Sequence, residues 1–264
     1  MPVMKRTLKN LFRILGYEIR RVLPAPSDPD SIAARTVKDS QYYKKWSTEI
    51  PVYTPWLGDE RFSSISSRVA EHTIVSVDRS YFLYCAALHG SSLSSNFAEC
   101  GVYKGGTALL RSEVAEIKNT VHIFDAFLGL PEPDKSADNY YTAGTFKDTS
   151  YEDVRGLLQP YADRVQIHRG WMPDTLADVE RDTFSLVHID VDLYQTAKVC
   201  CEFFYPRVCE GGIIVFDDYG FPACRGEREA ADEYFSTKVE KPICLPTGQA
   251  FVIKQKESNA NSTS

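Results

Sequence analysis

From Asn96 onward, short apolar runs alternate with segments whose apolar residues recur every three or four positions. The runs at 96–100, 120–125, 164–168, 184–190 and 211–217 predict buried strands, and segments near 105–118, 150–161, 172–180, 195–208 and 225–236 predict helices between them. Repeated β-α-β-α units imply a mostly parallel sheet covered on both faces, an α/β fold of three layers. The last apolar runs, near 241–246 and 249–254, leave no room for a crossover helix between them. They predict an antiparallel hairpin at the edge of the sheet.

The chain before Asn96 has a different character. Residues 31–90 predict helix in at least two pieces, the clearest starting at Asp78 as N-cap ahead of Tyr81, Phe82, Cys85, Ala86 and Leu88. Met4, Leu8, Leu11, Phe12, Leu15, Ile19 and Val22 form one helical stripe opposite Lys5, Lys9, Arg13 and Arg20. This basic amphipathic helix over 1–23 suits an anionic membrane surface, a partner subunit such as a second copy of the chain, or its own domain. A proline-rich linker over 24–30 follows, and the polar tail over 256–264 predicts disorder. The expected organisation is therefore 1–23, 24–30, a helical cap over 31–90, a single α/β domain over 91–255, and the tail.

Charge and cysteine usage narrow the function. A net charge of −6 argues against binding a nucleic-acid backbone. The 1–23 segment nonetheless holds six Lys or Arg against Glu18, which leaves −11 for the rest. Seven cysteines without a C-x-x-C pair, two of them adjacent at Cys200-Cys201, argue against a disulfide framework. They fit a reduced, cytoplasmic protein, with the inner membrane face as the place for any peripheral contact. No run reaches the length of a membrane span, and Arg13 and Glu18 interrupt any signal-peptide core.

Two constellations carry chemistry. Asp190 closes the run Phe184–Asp190, and Asp217-Asp218 close the run Ile213–Asp218, 27 positions after Asp190. That spacing suits neighbouring parallel strands, so three carboxylates converge at the sheet edge where open α/β sheets bind ligands. Left unpaired beside an apolar core they would cost several kcal/mol or take up protons, which points to a hard divalent cation. Three solvated aspartates capping helices are the alternative. Upstream, the first strand runs into Glu99-Cys100-Gly101-Val102-Tyr103, then Gly105, Gly106 and Thr107, and a helix. The glycines allow a sharp turn and close backbone approach to a ligand, but the spacing is neither a dinucleotide fingerprint nor a P-loop. Glu99 would attract a cationic group such as a sulfonium, and Asp125 ends the next strand where an acid conventionally takes ribose hydroxyls. A helix-capping Glu99 and a loop-starting Asp125 are the alternatives.

Five ordered blocks resemble the macrocin O-methyltransferase family: Glu99–Gly106, Phe124–Pro131, Arg169–Leu176, His188–Tyr194 and Phe216–Gly220. The resemblance covers roughly residues 70–255 and does not reach residues 1–60. It implies a Rossmann-like methyltransferase fold and S-adenosylmethionine- and magnesium-dependent methylation of sugar hydroxyls on natural products. It further implies that Glu99 through Tyr103 line the methionine end of S-adenosylmethionine, that Asp125 holds the ribose, and that Gly170 and Trp171 border the adenine. Asp190, Asp217 and Asp218 would hold Mg²⁺. The metal architecture also resembles that of catechol O-methyltransferase, but Leu193 stands where that enzyme has a lysine. Asp190 is then the favoured proton acceptor, with Asp192 as the alternative; His188 and Asp192 share its strand parity and read more readily as support.

The expected function is Mg²⁺-dependent O-methylation of a sugar hydroxyl on a glycosylated natural product or a cell-surface or lipid-linked glycan. The segment between Phe127 and Phe146 is long enough to be a lid over the acceptor. The rival readings are a metal-dependent glycosyltransferase using Asp190-Val191-Asp192 and a non-catalytic cofactor-binding scaffold.

Overall fold

A computed structural model describes residues 54–256. The basic stripe over 1–23, the linker, the start of the predicted cap and residues 257–264 lie outside the described residues. The chain divides into two units, Met1–Leu57 and Gly58–Ser264, and the α/β domain belongs to the second.

Among the described residues seven strands form one sheet in the order β3-β2-β1-β4-β5-β7-β6. They are β1 (Asn96–Cys100), β2 (Val121–Asp125), β3 (Val165–Arg169), β4 (Phe184–Ile189), β5 (Val208–Phe216), β6 (Ile243–Cys244) and β7 (Ala250–Ile253). The first five are parallel; β7 runs antiparallel to β5 and pairs with β6 as the edge hairpin. The strands bearing Asp190 and Asp217 at their ends are neighbours, as their spacing requires. Strand order reverses between β1 and β4, and a crevice opens at such a point in α/β sheets.

Among the described residues six α-helices accompany the sheet: α1 (Glu60–Val69), α2 (Val77–Ser92), α3 (Gly106–Val114), α4 (Tyr151–Leu157), α5 (Tyr194–Phe204) and α6 (Arg225–Phe235). Strand parity decides which face each side chain meets. Ala98, Cys100, Val187, Ile189, Ile214 and Phe216 join Phe204 of α5 and Phe235 of α6 in one apolar cluster. Residues of the other parity, such as Phe97 and Leu186, face α2, where Gly90 lies against both. By the same alternation Glu99, His188 and Asp217 belong to the α2 and α3 face.

Two local expectations are corrected. Helix α2 starts at Val77 behind Ser76, not behind Asp78. Asp78 sits in the first turn, where its charge complements the helix dipole. Residues 172–180 form no α-helix; Asp174–Val179 is a 3₁₀ segment, whose three-residue turn puts Leu176 and Val179 together on its buried side.

A line of hydrogen bonds ties β1, β2 and β3 together. Asn96 Oδ1 accepts from the Thr120 amide, so its Nδ2 donates to His122 Nε2 at 3.3 Å. His122 Nδ1 then faces His168 Nε2 at 3.0 Å, and His168 Nδ1 faces Asp178 Oδ2 at 3.1 Å. Burial, and after it the neighbouring His168, lowers His122 to about 4. Above about pH 6.5 His122 is neutral in both states. As pH falls toward 4 the unfolded chain takes up a proton that the folded chain does not, so stability is lost across that window. Thermal melting of His122→Asn between pH 7 and pH 4 should therefore show a shallower fall than the wild type; an identical slope would exclude this contribution.

Candidate active site

The turn after β1 and the turn after β4 meet at the crevice. Asp190 N donates to the Cys100 carbonyl at 2.9 Å, and Gly101 N to the Phe124 carbonyl at 3.0 Å. Gly101 has φ +83°, and a Cβ there would lie 1.9 Å from the Asp190 carbonyl oxygen. Only glycine lets these two turns approach so closely.

Two cavities flank this junction. The first, of about 250 Å³, is lined by Ile74, Val75, Tyr141, Phe146 and Phe221, with His72, Arg79, Asp192 and Asp218 as polar wall. The second, of about 400 Å³, lies between Phe124, Trp171, Met172, Val191 and Val199, with Gln195 and Glu132 among its polar groups. Gly101, Asp125, Leu130 and Asp190 line both. The segment predicted as a lid contributes to each: Leu130 is shared, Tyr141 and Phe146 face the first cavity, and Pro131 faces the second. The segment is tied down at both ends and in the middle. Leu130 N donates to the Thr145 carbonyl, Gly144 N donates to the Leu130 carbonyl, and Asp138 accepts from the Tyr194 amide at the start of α5.

Among the predicted cofactor residues, Gly101, Val102, Tyr103, Thr107, Asp125, Gly170 and Trp171 line one cavity or the other. Asp125 accepts from the amides of Val102 at 2.8 Å, Tyr103 at 3.2 Å and Phe127 at 2.6 Å, so it also holds the glycine turn in shape. Gly105 and Gly106 line neither cavity. Gly105 caps α3 at φ +86°, and Gly106 packs α3 against His72, where a Cβ would meet backbone at 2.7 Å.

Glu99 and Cys100 are fully buried and also line neither cavity. The cation that Glu99 was expected to attract is internal. Arg111 of α3, itself fully buried, pairs with its carboxylate, and Thr107 Oγ1 donates to it at 2.5 Å. Arg111 Nη1 also reaches His188 Nδ1 at 3.1 Å. A guanidinium can only donate, so Nδ1 accepts and the ring carries its proton on Nε2, which lies 3.2 Å from Asp217 Oδ1.

The three metal-candidate carboxylates have unequal surroundings. Asp217 is fully buried; Arg79 Nη1 lies 2.6 Å from its Oδ2, and Gln249 Nε2 donates to its Oδ1 at 2.6 Å. Burial alone would raise its pKa, but His188, Arg79 and Gln249 hold it below the ordinary carboxylate range. Asp218 shares Arg79 Nη1 at 2.8 Å, and burial with the adjacent Asp217 pushes it up. No group among the described residues donates to the Asp190 side chain. Burial, then Asp217, Asp218, Asp192 and Glu227, push Asp190 well above the usual carboxylate range. The premise of three carboxylates without a cation thus holds for Asp190, while Asp217 and Asp218 share a guanidinium.

Ligand atoms of His188, Asp190 and Asp217 lie within 4.8 Å of one another, and those of Asp192, Asp218 and Cys224 form a second such group. The predicted trio is therefore divided between two adjoining clusters. Asp192 stands at φ +61°, and burial followed by Asp218 pushes it up to about 7. Glu227 of α6, fully buried, accepts from the Asp218 amide at 3.1 Å and the Val191 amide at 3.4 Å. Among the described residues, five carboxyl groups thus crowd a region whose arginine, Arg79, pairs with two of them. A further cation fits that balance.

Arg79, Arg111 and Glu227 are absent from the sequence-based set of site residues. Each had a readable signal: a charge on the apolar face of its helix, as Arg79 lies in line with Leu83 and Ala86, and Glu227 with Ala230 and Ala231.

The sheet order, the crevice at its reversal and the acid-bearing strand ends define a Rossmann-like domain of the O-methyltransferase type. The family profile for Macrocin-O-methyltransferase (TylF) matches residues 72–245, and the chain belongs to that family. Demethyldecarbamoylnovobiocin O-methyltransferase of Streptomyces niveus is 29% identical over 161 residues, covering 55% of this chain and 60% of that protein. An O-methyltransferase of Streptomyces olivaceus that acts at the 4′ position of a rhamnosyl-tetracenomycin is 28% identical over 171 residues, covering 58% and 65%. The chain thus spans less than two thirds of the length of these relatives. In fold it is similar to the O-methyltransferase NovP, with a TM-score of 0.63 at 23% identity over 70% of this chain and 83% of that one. The calicheamicin methyltransferase CalS11 gives a TM-score of 0.59 at 17% identity over 91% and 98%.

The buried pair supplies a test. Glu99→Ala strands the Arg111 guanidinium in the core, and breaking a buried pair this way costs about 3–5 kcal/mol. Urea unfolding should show a loss of that order, or no stable fold. A variant as stable as the wild type would show that Glu99 and Arg111 do not form this pair.

Proposed function

We propose that this protein is an S-adenosylmethionine-dependent O-methyltransferase that methylates a sugar hydroxyl with a divalent cation, Mg²⁺, held by Asp190, Asp217 and Asp218. The observation that carries this reading is the place of Asp190: among the described residues nothing donates to its carboxylate, and it stands in the wall common to both cavities.

The second cavity suits the adenosine part of the donor. Trp171, Met172, Val191 and Val199 offer apolar walls for a flat base, while Asp125 and Gln195 offer polar partners for hydroxyl groups. Gly101 and Asp125 continue into the first cavity, so one ligand can run along the glycine turn from one to the other. S-adenosylmethionine, when bound, supplies a methyl group on a sulfonium centre. The first cavity mixes aromatic walls, Tyr141, Phe146 and Phe221, with His72, Thr149 and Asp192. Such a surface suits a sugar ring, which has apolar faces and a hydroxyl edge. The relatives whose names specify a glycosyl position support the same acceptor class.

A divalent ion supplies positive charge that stabilises a developing alkoxide. Asp190 accepts the hydroxyl proton, and its position between the cavities keeps acceptor and donor in line; alignment of this kind contributes about 7–11 kcal/mol. Asp192 is the second candidate base. It lines only the first cavity, its carboxyl stands at about 7, and Cys224 Sγ lies 3.3 Å from its Oδ1. Peripheral contact of the basic residues 1–23 with an anionic membrane rests on their charge pattern alone. No helix among the described residues is long and apolar enough to cross a membrane.

Calorimetry and turnover test this reading together. S-adenosylhomocysteine should bind and UDP should not, which separates methyl transfer from a glycosyltransferase use of Asp190-Val191-Asp192. EDTA should stop methylation of a glycosylated acceptor, and Mg²⁺ should restore it. Asp190→Asn should lower turnover by at least about a hundredfold, the usual contribution of a general base, while S-adenosylhomocysteine affinity changes little. UDP binding, or turnover indifferent to chelation, would overturn the proposal.

A further inference from the structure

Arg79 stands where the acid cluster would receive an ion. Its Nη1 lies between two carboxylates, 2.6 Å from Asp217 Oδ2 and 2.8 Å from Asp218 Oδ1. The side chain is nine-tenths buried, yet its Nε has no acceptor among the described residues. Its guanidinium carbon sits 4.7 Å from the centre of the Phe221 ring. The anchoring is one-sided: a single nitrogen serves both acids, and the flat head makes no two-pronged contact with either. This is weaker than the forked geometry arginine adopts when it binds a carboxylate permanently.

We propose that Arg79 is an internal counter-cation that competes with a divalent metal ion for Asp217 and Asp218. The inference rests on the metal reading above. An ion about 2.1 Å from an oxygen of each acid would need the space that Nη1 fills. The like charges would also repel across a low-dielectric wall. Metal entry therefore requires the guanidinium to leave the carboxylates. Phe221, already beneath it and lining the first cavity, offers an aromatic face that favours a displaced guanidinium. In the metal-free protein Arg79 spares Asp217 and Asp218 from facing each other without a cation. With metal present it becomes part of the wall that an acceptor meets. Arg79 is thus a positioning residue whose substitution should strengthen metal binding, the opposite of what loss of a ligand does.

The test measures Mn²⁺ binding to the full chain by calorimetry at one pH, without acceptor, for wild type, Arg79→Met, Arg79→Lys and Asp217→Asn. Arg79→Met should bind Mn²⁺ at least about tenfold more tightly, the equivalent of one charge-assisted hydrogen bond no longer displaced. Its melting temperature in EDTA should fall below that of wild type, and saturating Mn²⁺ should raise it by more. Asp217→Asn should lose binding. If Arg79→Met does not fold, Arg79→Lys carries the test: a shorter ammonium holds one acid less well, so binding tightens by a smaller factor. Wild-type binding that neither Arg79 variant tightens would overturn the counter-cation and leave the metal reading standing. Absence of Mn²⁺ binding in wild type and variants that still bind S-adenosylhomocysteine would overturn both.

Discussion

Asp217 is a fully buried carboxylate at the end of a central strand, and the carboxyl edge of the sheet is organised around keeping it charged. Taking an ion out of water costs several kcal/mol even after relaxation. The cost is offset by a line of alternating partners that crosses three strands and two helices. Arg111 on α3 pairs with Glu99 on β1, His188 on β4 lies between Glu99 and Asp217, and Arg79 on α2 joins Asp217 to Asp218. Register makes this possible: Glu99 and His188 are direct partners across the β1–β4 pair, and His188 sits one position before the end of β4. Removing Arg111 would leave Glu99 without its cation in a dry wall, and removing Arg79 would do the same to Asp217.

The same edge explains why binding space opens there. Every strand from β1 to β5 ends in a turn at this side, and the reversal of strand order sends the chain after β1 and the chain after β4 away from each other. Gly101 brings the β1 turn onto the Asp190 carbonyl, which leaves the Asp190 carboxylate facing outward between two cavities. The structure completes one half of a charge balance and leaves the other half open. Among the described residues, Glu99 and Asp217 have cation partners, whereas Asp190 and Asp192 pair with none.

Much of this was legible in the chain. Strand and helix alternation follows from apolar periodicity, because a buried parallel strand is a short apolar run whatever its partners. The 27-residue spacing of Asp190 and Asp217 was enough to place them on neighbouring strands, since a crossover helix fills that length. What escaped was pairing between elements distant in the chain. Glu99 looked like a receptor for an outside cation because Arg111, twelve positions on, could not be placed on the same face until the helix was docked. Arg79 lies 138 positions from Asp217, and no local pattern joins them. Gly105 and Gly106 read as ligand contacts because a glycine that admits a ligand and one that admits a helix look alike in sequence. The signal that was available, a charge on the apolar stripe of a helix, pointed to the existence of buried partners without naming them.

A divalent ion among these strand-end carboxylates is what the proposed chemistry requires. Crystals of the full chain grown with Mn²⁺ and S-adenosylhomocysteine, with data collected for the anomalous scattering of manganese, test it directly. One strong anomalous peak is expected within coordination distance of Asp190, Asp217 and Asp218, with the Arg79 guanidinium withdrawn from Asp217 and Asp218 and the adenosine against Trp171. A map at saturating Mn²⁺ with no peak at this edge, and Arg79 still bridging Asp217 and Asp218, would contradict it.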